Sequence, residues 1–238
     1  MLAACTTLTG DFSDVIAIEY TGPPSPRLEE GDTVRLTAVA LGLDGQPLPD
    51  VIVVWRLLAN PDSVGFTLDS LTGFITAVSP GGAWAVQGRV EDLRTDPAIP
   101  VTVLAAPDSI GAVEPSRDTV AVGAPESGLL VAGVYDVTTT PGTAVGLTGK
   151  RVVFRLADPA PGTPEAAGVG LAVPGQAPGA DPHLVEQLTG AGGSGAVTAE
   201  RVGLVQPDSI TVEALAFTAR GDTVAGSPVR FVVLFLRN

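Results

Sequence analysis

Apolar and polar residues alternate in a short stretch of the chain that occurs twice. Residues 51–57 read Val-Ile-Val-Val-Trp-Arg-Leu, and residues 152–156 read Val-Val-Phe-Arg-Leu. In each copy an aromatic residue and a leucine share one face, and an arginine lies between them on the other. This period of two predicts a half-buried β-strand with its aromatic residue in the core and its arginine in solvent.

The spacing of the two copies predicts two related domains in tandem. Trp55 and Phe154 are 99 residues apart, and each half of the 238-residue chain is long enough to bury its own core. We expect an N-terminal tether at residues 1–11, a first domain at 12–105 and a second at 106–238.

Further strands follow from the same alternation. We expect a first strand at residues 14–20, a single strand at 33–41 with one apolar face, and a final core strand at 231–236. Segments rich in proline and glycine, such as residues 22–26 and 44–50, separate the predicted strands and favour turns.

A second landmark reveals an insertion in the second domain. Leu71-Thr72-Gly73 reappears as Leu188-Thr189-Gly190 at an offset of 117 rather than 99. The extra residues fall within 157–187, a stretch rich in Pro, Gly and Ala. We expect a long loop without regular structure there, either functional or mobile.

Composition supports an all-β fold and excludes some partners. The chain is 45% hydrophobic with 29 Gly and 21 Pro, which favours strands joined by many turns. Its formal net charge of -13 repels nucleic acids and anionic lipid surfaces at long range, so neither is expected as a partner.

Several motifs of the first half resemble the bacterial immunoglobulin-like domain family of the intimin and invasin type. They are an Asp-Gly-x-Pro approach to the tryptophan strand, an Asn-Pro after it, a Gly-x-x-Thr-Ala-Val strand and a glycine-rich turn, here Asp44, Gly45, Pro47, Asn60, Pro61, Gly73, Thr76, Ala77, Val78, Gly81 and Gly82. The resemblance covers the first domain well and the second in outline. It implies two tandem immunoglobulin-like β-sandwiches that serve presentation or adhesion rather than catalysis.

The one cysteine, Cys5, follows Leu-Ala-Ala, which resembles the lipobox of bacterial lipoproteins. The resemblance implies a lipid attached to Cys5, the polar run at residues 6–11 as a tether, and an apolar leader that extends upstream of Met1. The alternative is an ordinary thiol. No disulfide within the chain is possible with a single cysteine.

Catalytic and metal-binding patterns are weak. His183, the one histidine, lies in the inserted segment with no Gly-x-Ser-x-Gly motif anywhere, and Gly190-Ala-Gly-Gly-Ser-Gly195 lacks the lysine of a phosphate loop. Two groups of carboxylates lack calcium-loop spacing. They are Glu29, Glu30 and Asp32, and Glu91, Asp92 and Asp96. We therefore expect no catalytic residue, no metal, no cofactor and no small-molecule substrate.

Two function classes remain open. The first is a non-catalytic, lipid-anchored envelope protein that docks on and stabilises a larger membrane-associated complex; the second is a surface adhesin or glycan-binding module. An exposed apolar patch on one sheet would favour docking. An aromatic-lined groove near Trp84, or at residues 157–187, would favour glycan binding. Trp55 is expected in the core, whereas Trp84 suits either the core or an aromatic patch.

Overall fold

The computed structural model describes residues 15–59, 64–137, 143–203 and 205–237. Contacts divide the chain into two compact units, Met1–Leu104 (unit 1) and Ala105–Asn238 (unit 2). Each unit is an immunoglobulin-like β-sandwich with its own hydrophobic core. The all-β fold class predicted from composition and alternation is confirmed.

The described part of unit 1 contains ten strands. They are β1 (Val15–Tyr20), β2 (Arg27–Glu29), β3 (Thr33–Arg35), β4 (Ala38–Gly42), β5 (Val54–Leu57), β6 (Phe66–Leu68), β7 (Phe74–Ala77), β8 (Ala83–Val90), β9 (Leu93–Arg94) and β10 (Ile99–Leu104). One sheet has the order β2-β10-β8-β5, with β9 paired to β8, and the opposing layer consists of the sheets β1-β4 and β3-β7-β6.

Ten strands also lie in the described residues of unit 2. They are β11 (Ser109–Ala112), β12 (Arg117–Val120), β13 (Leu130–Asp136), β14 (Val145–Gly146), β15 (Arg151–Asp158), β16 (Val169–Ala172), β17 (Leu184–Leu188), β18 (Ser194–Arg201), β19 (Ser209–Ala216) and β20 (Val229–Phe235). One sheet has the order β12-β20-β19-β15-β17, and the other β11-β13-β18-β16 with β14 paired to β13.

The two units share the connectivity of their principal sheet. In each, a short strand (β2 or β12) pairs parallel with the last strand (β10 or β20). The last strand pairs antiparallel with β8 or β19, and that strand pairs on its other side with the aromatic strand, β5 or β15. β5 and β15 are therefore equivalent, and so are β8 and β19. Trp55 lies opposite Gly88, and Phe154 lies opposite Ala214.

The core position predicted for Trp55 agrees with the structure, where the residue is 4% exposed. Its ring meets Tyr20 edge to face with centroids 6.1 Å apart. Glycines complete the pocket: a Cβ at Gly88 would lie 2.9 Å from a methyl carbon of Val53, and a Cβ at Gly73, whose φ is +74°, would lie 2.6 Å from Nε1 of Trp55. Small residues therefore make room for the indole.

Two expectations about local structure were wrong. Residues 33–41 do not form one strand: β3 pairs with β7, β4 pairs with β1, and the chain changes sheets at Leu36 and Thr37. The N–H of Leu36 donates to Gly73 O, while Thr37 O accepts from the N–H of Thr21. Apolar alternation continues through the change because Leu36 and Ala40 both face the core.

The inserted segment at residues 157–187 is not a structureless loop. It contains a 3-10 helix at Ala166–Gly168, the fully buried strand β16, and the start of β17, which pairs with β15. β16 extends the second sheet by pairing with β18. Val169, Leu171 and Ala172 are at most 1% exposed, so part of this stretch belongs to the core of unit 2 and not to a surface loop.

Truncation of the core indole tests the fold. Trp55→Ala should lower the free energy of unfolding of unit 1 by about 3–5 kcal/mol, because it removes a buried aromatic side chain and leaves a cavity. Urea unfolding followed by the fluorescence of Trp84 measures the change. Phe74→Ala, at a 45% exposed position of the same unit, is the control and should have a much smaller effect. Equal stability of Trp55→Ala and the parent protein would contradict the core assignment.

Candidate functional site

An outward-facing surface of unit 1 combines apolar side chains with three arginines. Side chains directly opposite on paired strands share one face, and register places Arg56 opposite Gln87, Val54 opposite Arg89, and Arg89 opposite Arg94. We call this surface the arginine face and define it by Ile52, Val54, Arg56, Leu58, Gln87, Arg89 and Arg94.

The apolar members of the arginine face are well exposed. Ile52 is 65% exposed, Val54 42% and Leu58 51%. They alternate with Trp55 and Leu57, whose side chains turn inward toward the core. Val54 of the edge strand β5 and the flanking Ile52 and Leu58 form an apolar strip around Arg56, of the kind found at interaction surfaces.

Two cavities indent the arginine face. One, of about 360 Å³, is lined by Arg56, Leu58, Gln87, Arg89, Asp92 and Arg94. Its neighbour, of about 460 Å³, is lined by Ile52, Val54, Trp55, Arg56, Arg89, Val90 and Glu91. Arg56 and Arg89 belong to both, so the surface offers cationic groups beside apolar walls.

The equivalent face of unit 2 carries matched charges. Glu213 of β19 lies between Arg155 of β15 and Arg230 of β20, directly opposite both in register. Its carboxylate oxygens lie 2.7 Å from Nη2 of Arg155 and 3.0 Å from Nε of Arg230. The hydrogen bond from Arg155, aided by that from Arg230, holds the pKa of Glu213 below its ordinary value although burial opposes this.

Unit 1 lacks this carboxylate. The residue opposite Arg56, at the position of Glu213, is the neutral Gln87, whose amide donates to the carbonyl oxygen of Thr95 at 3.1 Å. Within the described part of the chain, Arg56, Arg89 and Arg94 have no carboxylate oxygen within 4.0 Å. Arg89 donates instead to the backbone carbonyl of Glu91 at 3.1 Å.

The candidate residues from the sequence do not form one site. Cys5 and the proposed tether lie outside the described residues, as do Asn60 and Pro61. His183 is half-buried rather than fully exposed, and its Nε2 lies 2.9 Å from the carbonyl oxygen of Ala166. Since a carbonyl accepts, Nε2 carries the proton, and the imidazole joins the start of β17 to the 3-10 helix.

The carboxylate groups serve turns. The side chain of Asp32 accepts from the N–H of Glu29, and Glu91 lies with φ of 51° in the turn between β8 and β9. Among the described residues, no three His, Cys, Asp or Glu side chains are grouped so as to hold a metal ion. Gly192 and Gly193 have positive φ in the turn before β18, as expected for that glycine-rich run.

Trp84 packs inside unit 1. Its ring meets Phe66 edge to face with centroids 5.7 Å apart, and its tip lies against the backbone of Gly65 and Gly81. It is half-buried at the margin of the core. Of the two alternatives for this residue, the structure therefore favours the core.

Sequence reasoning missed the arginine face. An arginine after the aromatic residue was visible in both copies, but its environment depends on the residue opposite it on β8 or β19. That pairing joins residues 31 apart in unit 1 and 58 apart in unit 2. Neither partner can be named until the register is known.

Comparisons with known proteins give similar folds only. No family model and no curated protein matches the chain. Similar solved structures include the Yersinia pseudotuberculosis adhesin InvE, at 14% identity and a TM-score of 0.42 over 96% of this chain and 62% of that one. The Escherichia coli adhesin FdeC has 15% identity and a TM-score of 0.38, over 93% and 63%. The D00-D0 domain of intimin has 15% identity and a TM-score of 0.32, over 92% and 100%.

This chain spans less than two thirds of the InvE and FdeC structures that it matches. Among the described residues, no helix is long and apolar enough to cross a membrane.

The matched charges of unit 2 should have a measurable pH signature. Glu213→Gln should lower the unfolding free energy at pH 7 by about 1–2 kcal/mol, because it removes charge-assisted hydrogen bonds to two arginines. Because the folded pKa of Glu213 lies below the ordinary 4.5, its contribution is present above that pH and is lost as pH falls through the folded value. Urea unfolding followed by circular dichroism between pH 2 and 7 measures it.

Glu186→Gln provides the control, since the Arg151–Glu186 pair is half exposed and solvent-screened. Its effect at pH 7 should be smaller. The assignment of Glu213 as a charged partner of the two arginines would be contradicted by either of two results. One is a difference in unfolding free energy between Glu213→Gln and the parent protein that stays constant down to pH 2; the other is no difference at pH 7.

Proposed function

We propose that this protein is a non-catalytic interaction subunit of the bacterial envelope, which docks on and stabilises a larger membrane-associated protein complex. The observation that carries the proposal is the arginine face, where an exposed apolar strip borders arginines without carboxylate partners in the described chain. Apolar surface beside unmatched charge is typical of a surface that is covered in a complex.

A role in binding rather than chemistry agrees with how the reactive side chains are used. The imidazole of His183 holds a backbone carbonyl, Glu213 lies between two arginines, and Asp69 accepts from the N–H groups of Leu71 and Thr72 in a turn. These bonds organise loops and sheets, so the groups contribute to the fold at their present positions.

The envelope location rests on Cys5 and its lipobox-like context. A lipid attached there would hold the protein at a membrane surface, and residues 6–11 would act as a short tether. Restriction to a membrane surface raises the effective concentration of a subunit near a membrane complex, which suits a weakly binding face.

The adhesin or glycan-binding alternative needs an accessible aromatic platform. The candidates were Trp84 and residues 157–187, and the latter contain no Phe, Tyr or Trp. The ring of Trp84 packs on Phe66 and against Gly65 and Gly81. The arginine face also lacks an exposed aromatic ring, since Trp55 is buried. These features favour protein docking over sugar stacking.

The proposal predicts a stoichiometric complex in native membranes. Mild-detergent extraction, followed by size determination and mass spectrometry, should recover the chain with a membrane protein complex, and the N-terminal peptide should carry acyl chains on Cys5. The double variant with Ile52→Glu and Leu58→Glu should dissociate from that complex, because docking would then bury charge on the apolar strip.

Recovery of the protein as a free 24.0 kDa monomer with unmodified Cys5 would contradict both docking and anchoring. Binding of that monomer on a glycan array would then establish the alternative.

A further inference from the structure

We propose that the arginine face binds an extended segment of a partner protein that presents a carboxylate between apolar side chains. The inference rests on the proposed docking function and deepens it, since it names the surface and the chemistry of the partner. Its carboxylate would pair with Arg56 as that of Glu213 pairs with Arg155 in unit 2.

The arginine face of unit 1 and the charged face of unit 2 occupy equivalent positions in their sheets. Trp55 pairs with Gly88 as Phe154 pairs with Ala214, so Arg56 corresponds to Arg155 and Gln87 corresponds to Glu213. In unit 2 the carboxylate at this position accepts from Nε and Nη2 of Arg155 and from Nε of Arg230. The same backbone in unit 1 presents an arginine and an amide that is already bonded to Thr95 O.

The arginine face carries a local excess of positive charge. Arg56, Arg89 and Arg94 meet at one cavity of about 360 Å³, together with one carboxylate, that of Asp92. Glu91 lines the neighbouring cavity. The local surplus is therefore positive, in a chain whose formal net charge is -13. Guanidinium groups present planar pairs of N–H donors that fit a carboxylate, so a partner carboxylate matches this site better than a neutral group does.

The apolar strip lies beside Arg56 on the same face. Ile52, Val54 and Leu58 are exposed on the same face as Arg56 at alternate positions of the chain. A peptide strand with alternating side chains can cover them and set its own carboxylate beside Arg56. A polyanionic sugar would cover only the arginines and leave these three apolar side chains exposed to solvent, so the observations favour a protein segment.

A direct test uses a labelled decapeptide of alternating valine and glutamate with the full chain, read by fluorescence anisotropy. The glutamate peptide should bind, and the matched valine–glutamine peptide should bind at least tenfold more weakly, because it lacks the carboxylates that pair with arginine. Equal binding of the two peptides would overturn the proposal, and so would tighter binding of polygalacturonate than of the glutamate peptide.

Two variants locate the site. Gln87→Glu places a carboxylate opposite Arg56, as in unit 2, and should weaken binding of the glutamate peptide about tenfold by satisfying the arginine internally; Arg56→Gln should weaken it similarly. Arg151→Gln is the control, since Arg151 lies on the equivalent sheet of unit 2 and already pairs with Glu186. It should leave the affinity unchanged, whereas loss of affinity equal to that of Arg56→Gln would overturn the proposal.

The same variants separate this inference from the proposed function. If Gln87→Glu weakens peptide binding but the parent protein forms no membrane complex, the site stands and the docking function fails. If a membrane complex forms and survives both Gln87→Glu and Arg56→Gln, the docking function stands and the arginine face is not its contact. Thermal unfolding of each variant checks that the sandwich remains folded.

Discussion

A buried aromatic residue opposite a small residue fixes the register of the aromatic strand, β5 or β15, in both units. Trp55 faces Gly88, Phe154 faces Ala214, and a side chain at Gly88 would collide with Val53. A slip of one residue would turn the aromatic residue to solvent and exchange the two faces of the strand. The core therefore determines which residues lie opposite each other on the outer surface.

The outer surfaces then differ at the position opposite the arginine that β5 and β15 share. Glu213 satisfies two arginines in unit 2, whereas Gln87 leaves the facing Arg56 without a carboxylate among the described residues of unit 1. A shared core geometry thus supports a closed, internally matched face in one unit and an open face in the other. The face of unit 2 is therefore structural, whereas the face of unit 1 is a candidate binding surface.

Local patterns predicted what depends on local sequence. Alternation identified the two aromatic strands, the inward position of Trp55 and the outward position of both arginines, because these follow from the period of a strand. It failed at Leu36 and Thr37, where the chain changes sheets while its apolar alternation continues. It also failed for β16, which is buried on both faces and so shows no alternation.

The candidate site could not be predicted from the sequence because it depends on which distant residues lie opposite each other in the sheet. Arg56 lies opposite the neutral Gln87, whereas Arg155 lies opposite and binds Glu213. Lipid attachment at Cys5 stays a prediction from the motif, since that residue lies outside the described part of the chain.

Two-dimensional ¹H–¹⁵N spectra of the arginine Nε–H groups test the central claim most directly. The account predicts slowly exchanging signals from Arg155 and Arg230, whose Nε groups bind Glu213, and a rapidly exchanging Arg56 that becomes protected when Gln87 is replaced by Glu. An Arg56 signal as protected as that of Arg155 in the unmodified, unbound protein would show that its charge is already matched. That result would contradict an open arginine face.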